Sequence, residues 1–248
     1  LMRIILSFLV LLVALPTLSQ EAKEIIRKAN DLMQGQSSRG TMTMEIIRPK
    51  WTREMTMDSW SLGNDYSLVI ITEPARDEGT GFLKRDKELW NWQPRIDRVV
   101  KMPPSMMMQS WMGSDFTNDD LVRESSVVED YTHKLLGDTI IRSYEAWKLE
   151  LIPKEEAPVV WGKVIAYIAR DTYYQLLIKY YDEDGYLVNT LVLSDIRKMG
   201  GRTLPTRLEM IPAEHPDQKT VVQYHDFEYN VDIPERFFSV QNLKRVNR

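Results

Sequence analysis

The 248-residue chain has no cysteine and only three histidines, His133, His215 and His225. Disulfides, thiol nucleophiles, iron–sulfur ligation and cysteine zinc sites are excluded, so stability has to come from a packed core. No serine sits in a G-x-S-x-G turn, and the histidines share no catalytic pattern; His225 simply alternates with Gln223 and Phe227 on an expected strand. Basic blocks are missing as well. Lys and Arg number 32 against 36 Asp and Glu, a net charge of −4, which speaks against nucleic acid and against electrostatic attachment to anionic membranes. Asp182-Glu183-Asp184-Gly185 lacks the glycine and glutamate spacing of a calcium loop and reads as a hairpin turn. Asp119-Asp120 reads as a pair of first-turn helix acids rather than a catalytic pair. No catalytic residue, cofactor or metal is expected.

Long apolar runs are absent except at the N-terminus, where Ile4 to Leu15 follow Arg3 and precede Pro16-Thr17-Leu18-Ser19. The run is shorter than the ~20 residues of a comfortable membrane span. With its positive flank and small residues it reads as a secretory signal cleaved near Ser19, so export is expected and 20–248 is left as a single domain. No cysteine follows it to carry a lipid anchor.

What is there is mostly alternation. Ile25, Ile26, Ala29, Leu32 and Met33 recur at helical spacing among charged residues and predict an amphipathic helix over 22–33, ended by Gly35. From Thr41 the period becomes two. Met42, Met44 and Ile46, then Met55 and Met57, alternate with polar residues. Similar runs recur at 66–72, 81–85, 88–92, 98–102, 144–152, 163–170, 175–181, 187–196, 206–211 and 220–229, many of them separated by turn signals. Many short antiparallel strands with few helices make the chain mainly β, one strongly curved sheet whose apolar concave face needs a cover. The available covers are the N-terminal helix and residues 103–125.

Within that second cover, Thr117 and Asp120 have the spacing of a capping box, and Gly113 supplies backbone freedom. Thirteen methionines, five of them at Met102, Met106, Met107, Met108 and Met112, admit three readings: ordinary core, an adaptable surface for acyl chains, or a soft Cu(I) site. Copper ranks last because no histidine or cysteine accompanies them. Trp60, Trp90, Trp92, Trp111, Trp147 and Trp161 suit either a core or the floor and rim of an apolar pocket.

The order Gly81-Phe82-Leu83, Glu88-Leu89-Trp90-Asn91-Trp92-Gln93-Pro94, Arg95-Ile96-Asp97-Arg98-Val99-Val100-Lys101-Met102 and Met112-Gly113-Ser114-Asp115-Phe116-Thr117 resembles the outer-membrane lipoprotein-sorting family, the LolA-like periplasmic carriers. Trp161-Gly162-Lys163-Val164, Pro205-Thr206-Arg207-Leu208-Glu209-Met210 and Phe237-Phe238-Ser239-Val240 extend the resemblance over nearly all of 20–248. It implies an unclosed β-barrel of about eleven strands with a helical lid. One departure is Pro103-Pro104-Ser105-Met106-Met107-Met108-Gln109-Ser110-Trp111, more apolar than the Ser-, Gly- and Arg-rich segment usual there.

The resemblance implies a non-enzymatic carrier that holds the acyl chains of a lipoprotein or another lipid and moves them toward the outer membrane. Its partners would be an inner-membrane exporter and an outer-membrane acceptor, and the carrier itself a monomer. Strand parity then puts Met42, Met44, Ile46, Met55, Met57, Leu68 and Ile70 on the concave face, with Phe82, Trp90 and Trp92 deeper or at the rim. Met106, Met107, Met108 and Trp111 would cover the pocket, and Arg95 and Arg98 would hold the lid through Asp115 or meet a polar head group. The alternatives are a module that binds an apolar protein segment and an accessory partner of a lipid exporter.

Overall fold

The computed structural model describes residues 15–86, 88–122, 126–155, 157 and 159–246. The run read as an export signal falls mainly on residues 1–14, outside those described. Helix α1 spans Leu15–Gln34, and its buried stripe of Ala22, Ile25, Ile26 and Ala29 follows the period expected from sequence. Gly35 ends it at a φ of +69°, a conformation a Cβ makes costly, with its N–H on the Asp31 carbonyl at 2.9 Å.

Thirteen strands follow: β1 Ser37–Arg48, β2 Trp51–Leu62, β3 Tyr66–Glu73, β4 Gly81–Arg85, β5 Glu88–Gln93, β6 Arg98–Lys101, β7 Tyr131–Ile141, β8 Tyr144–Pro153, β9 Lys163–Ala169, β10 Gln175–Tyr181, β11 Leu187–Met199, β12 Arg202–Pro212 and β13 Lys219–Tyr229. A short helix α2, Asn118–Val122, lies between β6 and β7, and α3, Val240–Leu243, ends the fold. All thirteen strands form one antiparallel sheet in the order β6-β5-β4-β3-β2-β1-β13-β12-β11-β10-β9-β8-β7. The barrel is unclosed, with β6 and β7 as its two edges. Thirteen strands replace the expected eleven or so. Strand β7 has no counterpart among the sequence runs, because as an edge strand it alternates buried Tyr131 and His133 with polar residues and then breaks register near Gly137.

Registers sort the apolar residues onto two faces. Met42 pairs with Met57 and Met44 with Met55, and on the other side of β1 they face Tyr224 and Val222 of β13. Met57 then meets Ile71, and Val69 meets Phe82, so the concave face continues through the odd positions of β3. Leu68 and Ile70 therefore face the other way, which corrects the expected set. They pack with Leu83, Trp92, Phe238 and Leu243, joined by the half-buried Trp60, Trp90 and Phe237, in a second core on the convex side. The physical reason lies in β3, where Leu68-Val69-Ile70-Ile71 is apolar on both faces and alternation gives no direction. The cover on that side is the C-terminal segment. Gly81 is required beneath it, since a Cβ there would lie 2.6 Å from Leu243 Cδ1 and 2.8 Å from Ile70 Cδ1.

Because Phe238 is fully buried at the centre of this convex core, Phe238→Ala should lower unfolding stability by about 3–5 kcal/mol, measured by urea denaturation. A loss under about 1 kcal/mol would show that the C-terminal segment is only draped over the sheet.

Candidate functional site

Strands β6 and β7 are consecutive in the chain yet occupy opposite edges of the sheet, so the chain between them has to cross from one edge to the other, and residues 102–122 and 126–130 of that passage are described. This crossing forms the lid. Met107, Trp111 and Phe116 turn inward and are buried against Met44, Met55, Met57, Val69, Ile71 and Phe82. The Trp111 ring lies 5.0 Å from that of Phe82. Met108 points away and is 68 % exposed, while Met106 is half-buried and Met102 and Met112 pack at the margin of the core. The methionines thus divide between core and surface instead of converging.

Several polar contacts fasten the lid. Thr117 and Asp120 form the capping box expected from their spacing, with Thr117 N–H donating to Asp120 Oδ2 at 2.8 Å and Asp120 N–H to Thr117 Oγ1 at 3.1 Å. Met112 and Gly113 both have positive φ, +54° and +83°, and turn the chain into Asp115. Arg48, at the end of β1, grips the Asp115 carboxylate with two nitrogens at 2.9 and 3.0 Å, and also donates to the Gly113 carbonyl at 3.1 Å. Thr220 of β13 donates to Asp115 Oδ2 at 2.7 Å and accepts the Asp115 N–H at 2.9 Å. Arg53 of β2 donates to the Met112 carbonyl at 3.1 Å and pairs with Asp77.

This corrects the expectation that Arg95 or Arg98 holds the lid through Asp115. Both lie exposed at the β5–β6 connection, whereas Arg48 and Thr220 hold Asp115. Arg48 escaped the sequence reading because its distance from Asp115 along the chain gives no local signal. Only the pairing of β1 with β13 brings Arg48 and Thr220 together under the lid.

Trp111 and its neighbours fill the β1–β5 half of the concave face, and hollow space remains toward the other half. One cavity of about 200 Å³ lies between α1, the lid and β8–β12, walled by Ile26, Tyr131, Trp161, Ile168, Ile178 and Leu193 among others. A second, of about 130 Å³, extends under β1–β4 toward the β2–β3 turn. Met33, Phe116, Asp120, Leu208 and Tyr224 wall both, so the two adjoin at the inner end of the lid. Of the residues expected to line a pocket, Met42 borders the smaller cavity. Met44, Ile46, Met55, Met57 and Phe82 lie in the concave core under the lid, and Leu68, Ile70, Trp90 and Trp92 lie on the convex side. The larger cavity is built from strands whose alternation was legible, but nothing local marked their inner faces as hollow.

Asp120 is the ionisable group at the junction. Burial raises its carboxyl above the usual range, opposed by the hydrogen bonds from Thr117 and from the Trp161 indole N–H, 3.1 Å from Oδ1.

A family model described as an uncharacterized protein matches residues 63–245. The chain belongs to this family. The fold is shared with a DUF1329 family protein from Desulfovibrio piger, 22 % identical with a TM-score of 0.83 over 91 % of this chain and 99 % of that one. An outer membrane lipoprotein-sorting protein domain from Vibrio parahaemolyticus is 23 % identical with a TM-score of 0.81, over 92 % of this chain and 100 % of its own. A LolA superfamily protein from Nitrosomonas europaea is 24 % identical with a TM-score of 0.78, over 89 % and 98 %. Comparison with curated proteins gives no match. Within the LolA-like fold, no helix among the described residues is long and apolar enough to cross a membrane.

Two outcomes follow from this geometry. Arg48→Ala leaves the largely buried Asp115 without its guanidinium and should destabilise the closed lid by about 3–5 kcal/mol. Hydrogen exchange should then rise at the amides of 111–118 and stay unchanged in β11 and β12; equal protection in both proteins would remove Arg48 from the latch. For Asp120, a folded pKa above the unfolded one means that its contribution favours the folded state below about pH 4 and is lost as pH rises through the raised value. Asp120→Asn should flatten that fall in a series of urea midpoints, and an unchanged slope would contradict the assignment.

Proposed function

We propose that the chain is an exported, non-enzymatic carrier that holds acyl chains of a lipoprotein or another lipid in its concave cavity and conveys them across the periplasm toward the outer membrane. The observation that carries this reading is the mainly apolar cavity of about 200 Å³ bordered by α1, the lid and the concave face. Burial of acyl methylenes is worth about 0.8 kcal/mol each, so even a partly accommodated chain supplies several kcal/mol. The hollow adjoins Phe116, and the lid residues Met107 and Trp111 fill the rest of the concave face with similar apolar surface. A longer or branched lipid can take the place of those side chains when the lid lifts, so lid and cargo compete for one surface. The lipoprotein-sorting relative from Vibrio parahaemolyticus has the same architecture, and removal of residues 1–19 on export is part of the reading.

The test is mass spectrometry of material extracted from gently purified protein, followed by titration of the delipidated protein with a fluorescent acyl probe. Ile178→Glu places a carboxylate at the wall of the larger cavity and should weaken probe binding at least about tenfold, or 1.4 kcal/mol, while Met108→Glu on the outer side of the lid should not. Equal binding by a folded Ile178→Glu protein would place the ligand elsewhere. Failure of the parent to bind any acyl probe would end the carrier reading.

A further inference from the structure

Among the described residues, nine of the chain's thirteen methionines lie in the concave core or at its margin, five of them buried and four half-buried. In a chain without cysteine the thioether is the one group on which sulfur oxidation can act, and here it sits where the lid meets the sheet. Exposure sorts these side chains. Met44, Met55, Met57 and Met210 on the strands and Met107 in the lid are each at most 4 % exposed, whereas Met108 on the outer side of the lid is 68 % exposed. Between these extremes stand Met102 and Met112, half-buried and packed at the margin of the core. Both lie where the lid is fastened. Met102, the residue after β6, donates its N–H to the Leu89 carbonyl at 2.8 Å, and the Met112 carbonyl accepts from Arg53 at 3.1 Å just before the latch at Gly113 and Asp115.

We propose that Met102 and Met112 are modification sites, at which hydrogen peroxide converts the thioether to a sulfoxide and so loosens the closed lid. The sulfur lone pair attacks one peroxide oxygen, an S–O bond forms as the O–O bond breaks, and the other oxygen leaves, protonated, as water. Sulfur gives up two electrons and the peroxide takes them. A thioether is only a weak acceptor, whereas a sulfoxide is polar and seeks a donor, so returning it to an apolar margin costs the hydrogen bonds it makes with water. Half-burial makes these two residues both reachable and consequential. Met108 already faces water, so its sulfoxide costs the fold nothing, and the deeper Met107 becomes reachable only after the lid has opened. The modification acts on the lid itself and does not rest on the carrier reading.

The experiment treats the purified protein with dilute hydrogen peroxide, follows each methionine by peptide mass spectrometry and reads the lid by hydrogen exchange at 111–118. Met108 should gain oxygen first, Met102 and Met112 next, and Met44, Met55 and Met57 last. Exchange at 111–118 should rise at least about tenfold as Met102 and Met112 are converted, with β11 and β12 unchanged. It should return when methionine sulfoxide reductases and a dithiol restore the thioethers, the dithiol becoming a disulfide and the oxygen leaving as water. Leucine is close to methionine in volume and carries no sulfur, so the protein with both Met102→Leu and Met112→Leu should keep its lid closed before and after treatment, while Met108→Leu should behave as the parent. If the double variant is already loose, the time courses in the parent decide, since exchange has to rise with conversion of Met102 and Met112 and not with that of Met108. Unchanged or reduced exchange in protein carrying both sulfoxides, a rise that tracks Met108 alone, or an equal rise in a closed double variant would each overturn the proposal. Resistance of Met102 and Met112 under conditions that convert Met108 would overturn it as well.

Discussion

A sheet that enters its crossing from one edge strand and leaves it at the opposite edge has to send the intervening chain over its own concave face. Here the chain leaves β6 at one edge and resumes at β7 at the other. Everything about the site follows from this constraint. The crossing must satisfy its backbone groups away from any strand partner, which the Ser110–Thr117 bridge, the capping box and the Thr220 contact accomplish in part. It must also hide its apolar side chains, and Met107, Trp111 and Phe116 do so against the inside of the sheet. Trp111 is driven there although its indole N–H has no hydrogen-bond partner among the described residues, a cost of about 1–3 kcal/mol.

That cost is one of several opposing contributions to lid closure. Packing of Met107, Trp111 and Phe116 and the Arg48–Asp115 pair favour the closed lid, while the unpaired indole and the closed-in Asp120 carboxyl oppose it. The two halves of the concave face then divide the work. The β1–β5 half is filled by the lid's own side chains, and the β8–β12 half is left hollow beneath α1.

The convex side carries a core of its own. Leu68, Ile70 and Leu83, with the rings of Trp90 and Trp92, are sealed beneath the C-terminal Phe238 and Leu243. A strand apolar on both faces needs two covers. The C-terminal segment supplies one, and the lid supplies the other.

Several parts of this arrangement are written locally in the sequence. The three-and-four spacing of α1, the period-two alternation of Met42, Met44, Met55 and Met57, the glycine that ends the helix and the Thr117–Asp120 cap depend only on neighbours a few residues away, so composition and spacing determine them. The resemblance carried by Gly81-Phe82-Leu83 and by the Gly113–Thr117 block determined the kind of sheet. Tertiary structure alone decided which face each doubly apolar strand buries, because parity in β3 is set by its register against β2 and β4 and by what arrives from the C-terminus. It also decided that Arg48, rather than Arg95 or Arg98, meets Asp115, and that serines from three strands align with Lys84. Those residues are far apart in the chain and carry no mutual signal along it; only hydrogen-bonded register makes them neighbours.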